Sequence, residues 1–384
     1  MTGSFHRSWG DFGTVRNQAA LDYECFTMLA QGTKCAIGDH LHPAGKLNPV
    51  VYERIGKTYR SVSQKEPWAA GAKALTEIGS VVAYSSQRIG ESDLGVTGML
   101  EQLHQQFDML DPDADFSRYK ILILADDHRL DSNLKKKVQS YLNGGGKLIL
   151  SHESGLDPTG KGFVLPVGVQ YEGPWQHEEQ YLEVIDHATR RGIPDMIHES
   201  YEKGSAVKVA AGATLLARVW NGYFDRDYRH FQVEQTPYAT PTDYAGIAAT
   251  ANLVYFATPI FRTYARYAYP VSRQLVGNCL SRFLPNPLLR SNTPSTAQIT
   301  VTEQPGRRIV HLLHYVPERR GVEVDIVEDV LPLFNVKIAL RADRRPSKIY
   351  LAPQQRGLPM RYDAGYAEVV VPVVEGHQMV IFES

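Results

Sequence analysis

The sequence predicts an α/β protein, with an open, doubly wound sheet near its centre and a small antiparallel β-sandwich at its end. Three observations lead there. Residues 119–152, YKILILADDHRLDSNLKKKVQSYLNGGGKLILSH, place two continuous apolar runs on either side of an amphipathic helix. A further strand–helix–strand pattern precedes them, giving the order β-α-β-β-α-β. After residue 297 the apolar period changes from helical spacing to two.

The 119–152 stretch is the clearest of these. Ile121-Leu122-Ile123-Leu124-Ala125 is apolar at every position, as expected of a strand covered on both faces, and Asp126-Asp127 ends it. Asp131 is placed to cap the next helix, because its carboxylate can accept the orphan N–H groups of the first turn. Leu134, Val138, Tyr141 and Leu142 recur at helical spacing, while Lys135, Lys136 and Lys137 turn outward. Gly144-Gly145-Gly146 stops the helix and Leu148-Ile149-Leu150 starts a second buried strand. A βαβ unit of this kind crosses over right-handed in a parallel sheet.

The other elements follow in chain order. Residues 14–30 spell a helix, with Val15, Ala19, Tyr23, Phe26 and Leu29 on one face and Gly32 just beyond. A short strand is expected over 33–37. Asn48-Pro49 then reads as an N-cap and first helical residue, and the helix should run until Pro67 breaks it. A lone strand between two helices leaves both its edges unpaired, so this segment reads as the end of a larger unit. From residue 76 the central unit begins: a strand over 81–84 ending at Ser85-Ser86, a helix over 96–107 and a short strand over 107–110. Its order fits a flavodoxin-like sheet.

The middle is less regular. Extended chain is expected over 163–169, mixed signals over 178–188, two β-runs around Gly212, a buried strand at 253–257 and one helix over 264–283. Residues 284–297, LPNPLLRSNTPSTA, have the composition of a linker. Beyond it, Ile299/Val301, Ile309/His311/Leu313, Val322/Val324/Ile326, Val336/Ile338/Leu340, Ile349/Leu351, Val369/Val371/Val373 and Met379/Ile381 alternate as strands of a sandwich.

The totals bound the function. Across 384 residues the formal charge is −1, so there is no basic excess for nucleic acid. No apolar run approaches the roughly 18 residues of a membrane span. Cys25, Cys35 and Cys279 are odd in number and lack CxxC spacing, which argues against a disulfide framework or a structural zinc and fits a reducing compartment. The opening MTGSFHRSWGDFG lacks the regions of a signal peptide, so a cytoplasmic location is expected.

Ligands of open α/β sheets bind outside the carboxyl ends of the strands. The candidates there are Ser85, Ser86, Asp126, Asp127, His152, Glu153 and Ser154. Ser85 to Gly90 is a poor phosphate cradle. A glutamine-amidotransferase site needs a nucleophilic Cys, and none follows the strand; Ser154 lacks the leading glycine of a G-x-S-x-G elbow. The alternative is polar strand ends facing water. His177-Glu178 and His198-Glu199 lack the second histidine of HExxH. His311 and His314 are most simply surface or half-buried residues.

The first segment is chemically denser. Trp9-Gly10-Asp11 precedes a helix and Asp39-His40-Leu41-His42 follows a strand. On βα loops of a barrel these would lie on the catalytic face. Asp and His would bind sugar hydroxyls, and Trp9 would stack on a pyranose ring. His40 and His42 share a face of an extended segment, yet only Asp39 and Asp11 offer further ligands, so no metal and no cofactor are expected. The plainer reading has these loop residues satisfying helix ends.

These residues also carry a resemblance. SFHRSWGDFG, NQAALDYECFTMLAQG and KCAIGDHLHPAG, within residues 4–68, resemble the closing segments of the catalytic barrel in bacterial glycoside hydrolases distantly related to the family 42 β-galactosidases, a group that includes the family 151 α-L-fucosidases. Residues from about 75 to 285 resemble the β-galactosidase trimerisation domain, which has a glutamine-amidotransferase-like fold without the nucleophile. Residues 297–384 are similar to the small terminal β domain of those proteins. The resemblance implies a remnant of a (β/α)8 barrel over 1–70, an assembly domain over 75–285 and a β-sandwich over 297–384. It implies a carbohydrate partner, a homotrimer, and a substrate pocket to which Trp9, Asp11, Asp39, His40 and His42 contribute. It maps neither catalytic carboxylate onto this chain, so a truncation or one half of a split enzyme, inactive alone, is expected. Two other readings stay open: a non-catalytic carbohydrate-binding or assembly protein that complements a separate barrel chain, and an independent hydrolase built on Ser154 or His152.

Overall fold

A computed structural model describes residues 1–83, 90–226, 228–229 and 235–384. Ser85 and Ser86 lie outside the described residues. The chain divides into two compact units, Thr76–Asn286 and Met1–Leu75 with Pro287–Ser384.

The Thr76–Asn286 unit is built on a nine-stranded mixed sheet. Its order is Ile197–Glu199, Tyr181–Val184, Thr214–Gly222, Tyr238–Ala249, Leu253–Phe256, Lys147–Ser151, Ile121–Leu124, Ile78–Val81, Phe107–Leu110. The last five are mutually parallel, with Ile121 opposite both Ile78 and Lys147, and Leu148 opposite Leu253. Ranked along the chain, they stand in the order 2-1-3-4-5. The remaining strands are antiparallel.

Alternate residues of each buried strand serve opposite layers. Ile121, Ile123, Ile149, Val254 and Phe256 pack with Val96, Met99 and Leu100 of helix Glu91–Gln102, Phe261 of Ile260–Tyr267 and Leu275 of Pro270–Phe283. Leu122, Leu124, Leu148, Leu150 and Tyr255 pack on the other face, against Val138 and Tyr141 of helix Ser132–Asn143 and against Val169 and Val207. Each such side chain contributes about 1.5–3 kcal/mol when fully buried. Two helices touch closely at Gly95, where a Cβ would come within 1.8 Å of the Phe261 carbonyl oxygen. The Asp131 cap forms as expected, accepting Asn133 N–H at 2.9 Å and Leu134 N–H at 2.8 Å.

Two expectations are corrected in this unit, and one strand is added. The first strand is Ile78–Val81, three residues early, because its buried middle is Gly79-Ser80; a Cβ at Gly79 would meet Leu110 at 2.5 Å. The expected helix over 264–283 is two helices, separated where Ala268 turns left-handed (φ 49°) and Pro270 starts anew without an N–H. Strand Tyr238–Ala249 lies where the sequence reading placed no element.

In the other unit, two antiparallel sheets face each other. Leu289–Ser291, Leu333–Arg341, Tyr366–Val374 and Met360–Asp363 form one; Arg356–Gly357, Lys348–Ala352, Gly376–Glu383, Arg307–His314, Gln298–Gln304 and Lys73–Ala74 form the other. Val310, Leu312, Ile338, Leu340, Val369, Val371, Val380 and Phe382 fill the space between. The outer face of the six-stranded sheet is not open to water. Ile309 and Met379 pack against Trp68, and Leu313 packs with Cys25, Phe26 and Leu29. This is why His311 is fully buried rather than half-exposed, and His314 nearly so. The expected strand at Val322/Val324/Ile326 is absent there: only Asp325–Ile326 pairs, with Glu318–Arg319, and Val322 is 95% exposed.

Helices Gln18–Ala30 and Pro49–Ala69 start at Asn17 and Asn48, whose side chains accept Ala20 N–H and Val50 N–H, each at 3.1 Å. Pro67 falls inside the last turn and does not stop the second helix early. The short strand is Ile37–Gly38, and it has a parallel partner, Thr2–Gly3, that the sequence did not suggest. Among the described residues no helix is long and apolar enough to cross a membrane.

Candidate functional site

The parallel pair places two loops at one end. Thr2–Gly3 leads into residues 4–17, and Ile37–Gly38 leads into residues 39–48. The pairing continues past the strands, with Ser4 N–H donating to Gly38 O at 3.0 Å and Ser4 Oγ donating to Asp39 Oδ1 at 2.6 Å. Gly38 has no room for a side chain, since a Cβ would lie 2.1 Å from the Trp9 ring. The indole therefore lies on the strand itself.

Around it is a set of rings. Phe5 meets Trp9 edge-on at 5.2 Å and His40 at 4.8 Å. Phe12 stacks on His40 at 4.5 Å and 15°. Phe5 is buried, whereas Trp9 and Phe12 are 60% and 58% exposed. His40 Nε2 is buried and makes no hydrogen bond, 3.3 Å from where a Cβ on Gly10 would stand. Gly10 itself has φ +110°, a conformation open to glycine.

Asp11 and His42 have local duties. The Asp11 carboxylate accepts Arg7 N–H at 3.2 Å, Ser8 N–H at 3.1 Å and Ser8 Oγ–H at 3.1 Å. The Ser8 hydrogen bonds hold its carboxyl below the usual range. His42 Nδ1 accepts Ala44 N–H at 3.1 Å. No group of three or more His, Cys, Asp or Glu residues suited to a metal ion occurs among the described residues. What this end offers chemically is a partly exposed aromatic wall beside an ordered carboxylate and an imidazole.

The carboxyl ends of the parallel strands in the Thr76–Asn286 unit look different. Asp126 and His152 both have positive φ, 52° and 49°. Asp126 is fully buried; it accepts Ser151 Oγ–H at 2.6 Å and Arg262 N–H at 2.7 Å, and its own N–H donates to Ser151 Oγ at 2.8 Å. Burial pushes its carboxyl up to about 6. Asp127 takes both oxygens to Arg262 Nη1, at 3.0 and 3.1 Å, and Arg262 Nε reaches Glu202 at 3.0 Å. Arg266 joins Glu202 at 2.9 Å and Glu91 at 2.5 Å. Glu153 pairs with Arg129 at 2.8 Å. Ser154 is fully buried, and its Oγ accepts His128 N–H at 3.1 Å. The His152 ring, held below its usual range by burial, lies 4.0 Å from Asp127 Oδ1. The charged groups are paired with one another, while His152 Nδ1 and His128 Nε2 are buried without a hydrogen-bond partner. Ser154 is not presented as a nucleophile.

No protein-family model and no curated protein matches the sequence. Solved structures do. The α-L-fucosidase isoenzyme 2 of Paenibacillus thiaminolyticus is 31% identical, with a TM-score of 0.95 over 100% of this chain and 60% of its own. A β-galactosidase from Bacillus circulans sp. alkalophilus is 11% identical, with a TM-score of 0.65 over 100% of this chain and 55% of its own. A GH42 β-galactosidase from G. stearothermophilus, solved as a catalytic mutant, is 12% identical, with a TM-score of 0.61 over 98% of this chain and 52% of its own. The chain resembles the C-terminal part of these glycoside hydrolases. It spans 60% of the fucosidase and little more than half of either galactosidase.

Of the residues that sequence reasoning picked from this glycoside-hydrolase pattern, the structure brings together Trp9, Asp39 and His40. Asp11 and His42 sit on the same two loops and shape them. Sequence reasoning missed Ser4, which tethers Asp39, Phe5, which meets both Trp9 and His40, and Phe12, which stacks on His40. The aromatic spacing within SFHRSWGDF was the available signal.

Proposed function

We propose that this chain is the C-terminal portion of a glycoside hydrolase acting on α-L-fucosides or β-galactosides, in which Trp9, Asp11, Asp39, His40 and His42 line the sugar pocket. The observation that carries the reading is the similarity of all of this chain to 60% of the fucosidase, at 31% identity and a TM-score of 0.95. The parallel pair with its two following helices supports assigning residues 1–70 to the end of a (β/α)8 barrel. Strand order 2-1-3-4-5, with helices on both faces, supports a flavodoxin-like or glutamine-amidotransferase-like doubly wound domain over 75–285. That domain serves assembly, as a homotrimer in the cytoplasm, and residues 297–384 form the accompanying sandwich.

Retaining glycosidases need two carboxylates about 5–5.5 Å apart, with one free to attack. Asp11 and Asp39 are committed to their own loops, so they position sugar and do not cleave it. The cleaving pair belongs to barrel sequence outside these 384 residues. The test is an aryl α-L-fucoside and an aryl β-galactoside offered to the purified chain. No enzyme-like turnover is expected, together with quenching of indole fluorescence by L-fucose or D-galactose. Turnover at an enzyme-like rate by the chain alone overturns the reading.

A further inference from the structure

Cys25 and Cys35 are ten residues apart in sequence, one on helix Gln18–Ala30 and one just before strand Ile37–Gly38. The turn at Gly32 (φ +70°) folds the chain back so that Cys35 lies against Cys25. Cys35 Sγ donates to the Cys25 carbonyl at 3.1 Å. Cys25 is fully buried among Phe26, Leu29 and Ala30, while Cys35 is only partly covered. Cys279, the remaining cysteine, is buried in the other unit with no thiol beside it.

The contact divides the labour between the two sulfurs. The hydrogen bond from Cys25 stabilises a thiolate on Cys35 and lowers its pKa, and the same bond, with burial, pushes the Cys25 thiol up. A lowered, accessible thiol beside a protected one is the arrangement of an attacking and a resolving cysteine. Two cysteines that were merely core filler would both be covered.

We propose that Cys25 and Cys35 form a reversible intramolecular disulfide, with Cys35 as the attacking thiolate and a small disulfide such as oxidised glutathione as the oxidant. The Cys35 thiolate attacks one glutathione sulfur, forming a mixed disulfide and releasing glutathione thiolate. Cys25, giving up its proton, then attacks the Cys35 sulfur and releases the second glutathione. Two protein thiols are oxidised and one glutathione disulfide is reduced to two glutathiones. The bond closes the segment that hands the chain to Asp39 and His40.

The experiment incubates the native 384-residue chain with oxidised glutathione, traps remaining thiols by alkylation and maps peptides without reduction. A Cys25–Cys35 cross-linked peptide is expected, reversed by dithiothreitol, with Cys279 alkylated only after unfolding. The wild-type map decides by itself: two free thiols at 25 and 35, or equal glutathione adducts on all three cysteines, overturns the proposal. Cys25→Ser should accumulate the Cys35–glutathione adduct, and Cys35→Ser should slow modification of Cys25 at least tenfold. Unchanged modification of Cys25 in Cys35→Ser, with the circular dichroism of the wild type, overturns the assignment of roles.

Discussion

Two strand ends in this molecule invite a ligand, and they are finished in opposite ways. Beside Asp126, charged groups are paired among themselves: Asp127 with Arg262, Glu202 with Arg262 and Arg266, Glu153 with Arg129. Beside Asp39, aromatic rings stand in solvent. Each end keeps a buried imidazole nitrogen without a partner, His40 Nε2 at this one and His128 Nε2 and His152 Nδ1 at the other. An open α/β sheet makes a crevice at its strand ends by topology alone. What separates the two ends is the pairing of charge and the exposure of rings. The carboxylates and guanidiniums beside Asp126 are matched among themselves, which fits architecture. The exposed rings at the other end favour the proposal that sugar binds beside Trp9.

Removing Asp126 should therefore be the most damaging change. Asp126→Ala strands the Ser151 hydroxyl and the Arg262 N–H in a buried place and takes an anion from the start of helix Ile260–Tyr267. A loss of about 3 kcal/mol is expected in urea titration. Asp126→Asn should recover part of it, because an amide accepts through only one of its two heavy atoms. The carboxyl is raised in the folded state, so the fold binds its proton more tightly than the unfolded chain does. This contribution to stability falls as pH rises from about 3.8 to about 6 and is flat above. A loss below 1 kcal/mol would sink the view that this network is structural.

The sandwich unit carries the opposite pH dependence. His311 Nδ1 lies 3.1 Å from His377 Nε2, with the two rings stacked and both side chains buried. Among the described residues, the charged group bearing on them is Lys65, held over the Phe26 ring at 3.6 Å and itself lowered to about 8 by burial. Burial drives His311 down to about 3 and His377 well below its usual value. Their folded pKa values are depressed, so the unfolded chain takes protons first. Stability is full above pH 6.5 and declines as pH falls toward 3. About 2 kcal/mol per histidine should be lost between pH 6.5 and 5. His377→Gln should roughly halve the slope of the urea midpoint against pH over that window, and an unchanged slope would assign the acid response elsewhere.

Gly95→Ala comes next in size. Its Cβ would press on the Phe261 carbonyl, forcing two helices apart at a cost of about 2 kcal/mol by thermal denaturation. A neutral result would mean that the helices shift freely, contrary to the shared core of Val96, Met99, Phe261 and Leu275.

How much of this was legible follows the same division. Strong local signals came through: the apolar runs at 121–125 and 148–150, the Asp131 cap and the Asn48-Pro49 start. They are set by nearest neighbours in sequence. The misses depend on distant partners. Strand Tyr238–Ala249 has Ala and Gly where alternation should show larger residues, because neighbours fill the space; a Cβ on Gly246 would sit 2.2 Å from Leu182. Ile78–Val81 hides behind Gly79 for the same reason. Thr2–Gly3 is two residues long and exists only through Ile37–Gly38. At the site, Trp9, Asp39 and His40 were visible as residue types, but Phe12 on His40 was not, since ring stacking across two loops leaves no periodicity.

Trp9→Ala should disturb stability least and binding most. The indole is 60% exposed, so truncation should shift the melting free energy by no more than about 0.5 kcal/mol. The ring is held against Gly38 on one side, which leaves its exposed part free for a ligand. A pyranose stacked there would lose its platform, and binding of L-fucose or D-galactose by calorimetry should weaken about tenfold, roughly 1.4 kcal/mol. Phe12→Ala should weaken it less, because one face of that ring is already taken by stacking on His40. If Trp9→Ala instead destabilised the fold and left sugar binding intact, the exposed end would be as structural as the Asp126 network, and the contrast between the two ends would disappear.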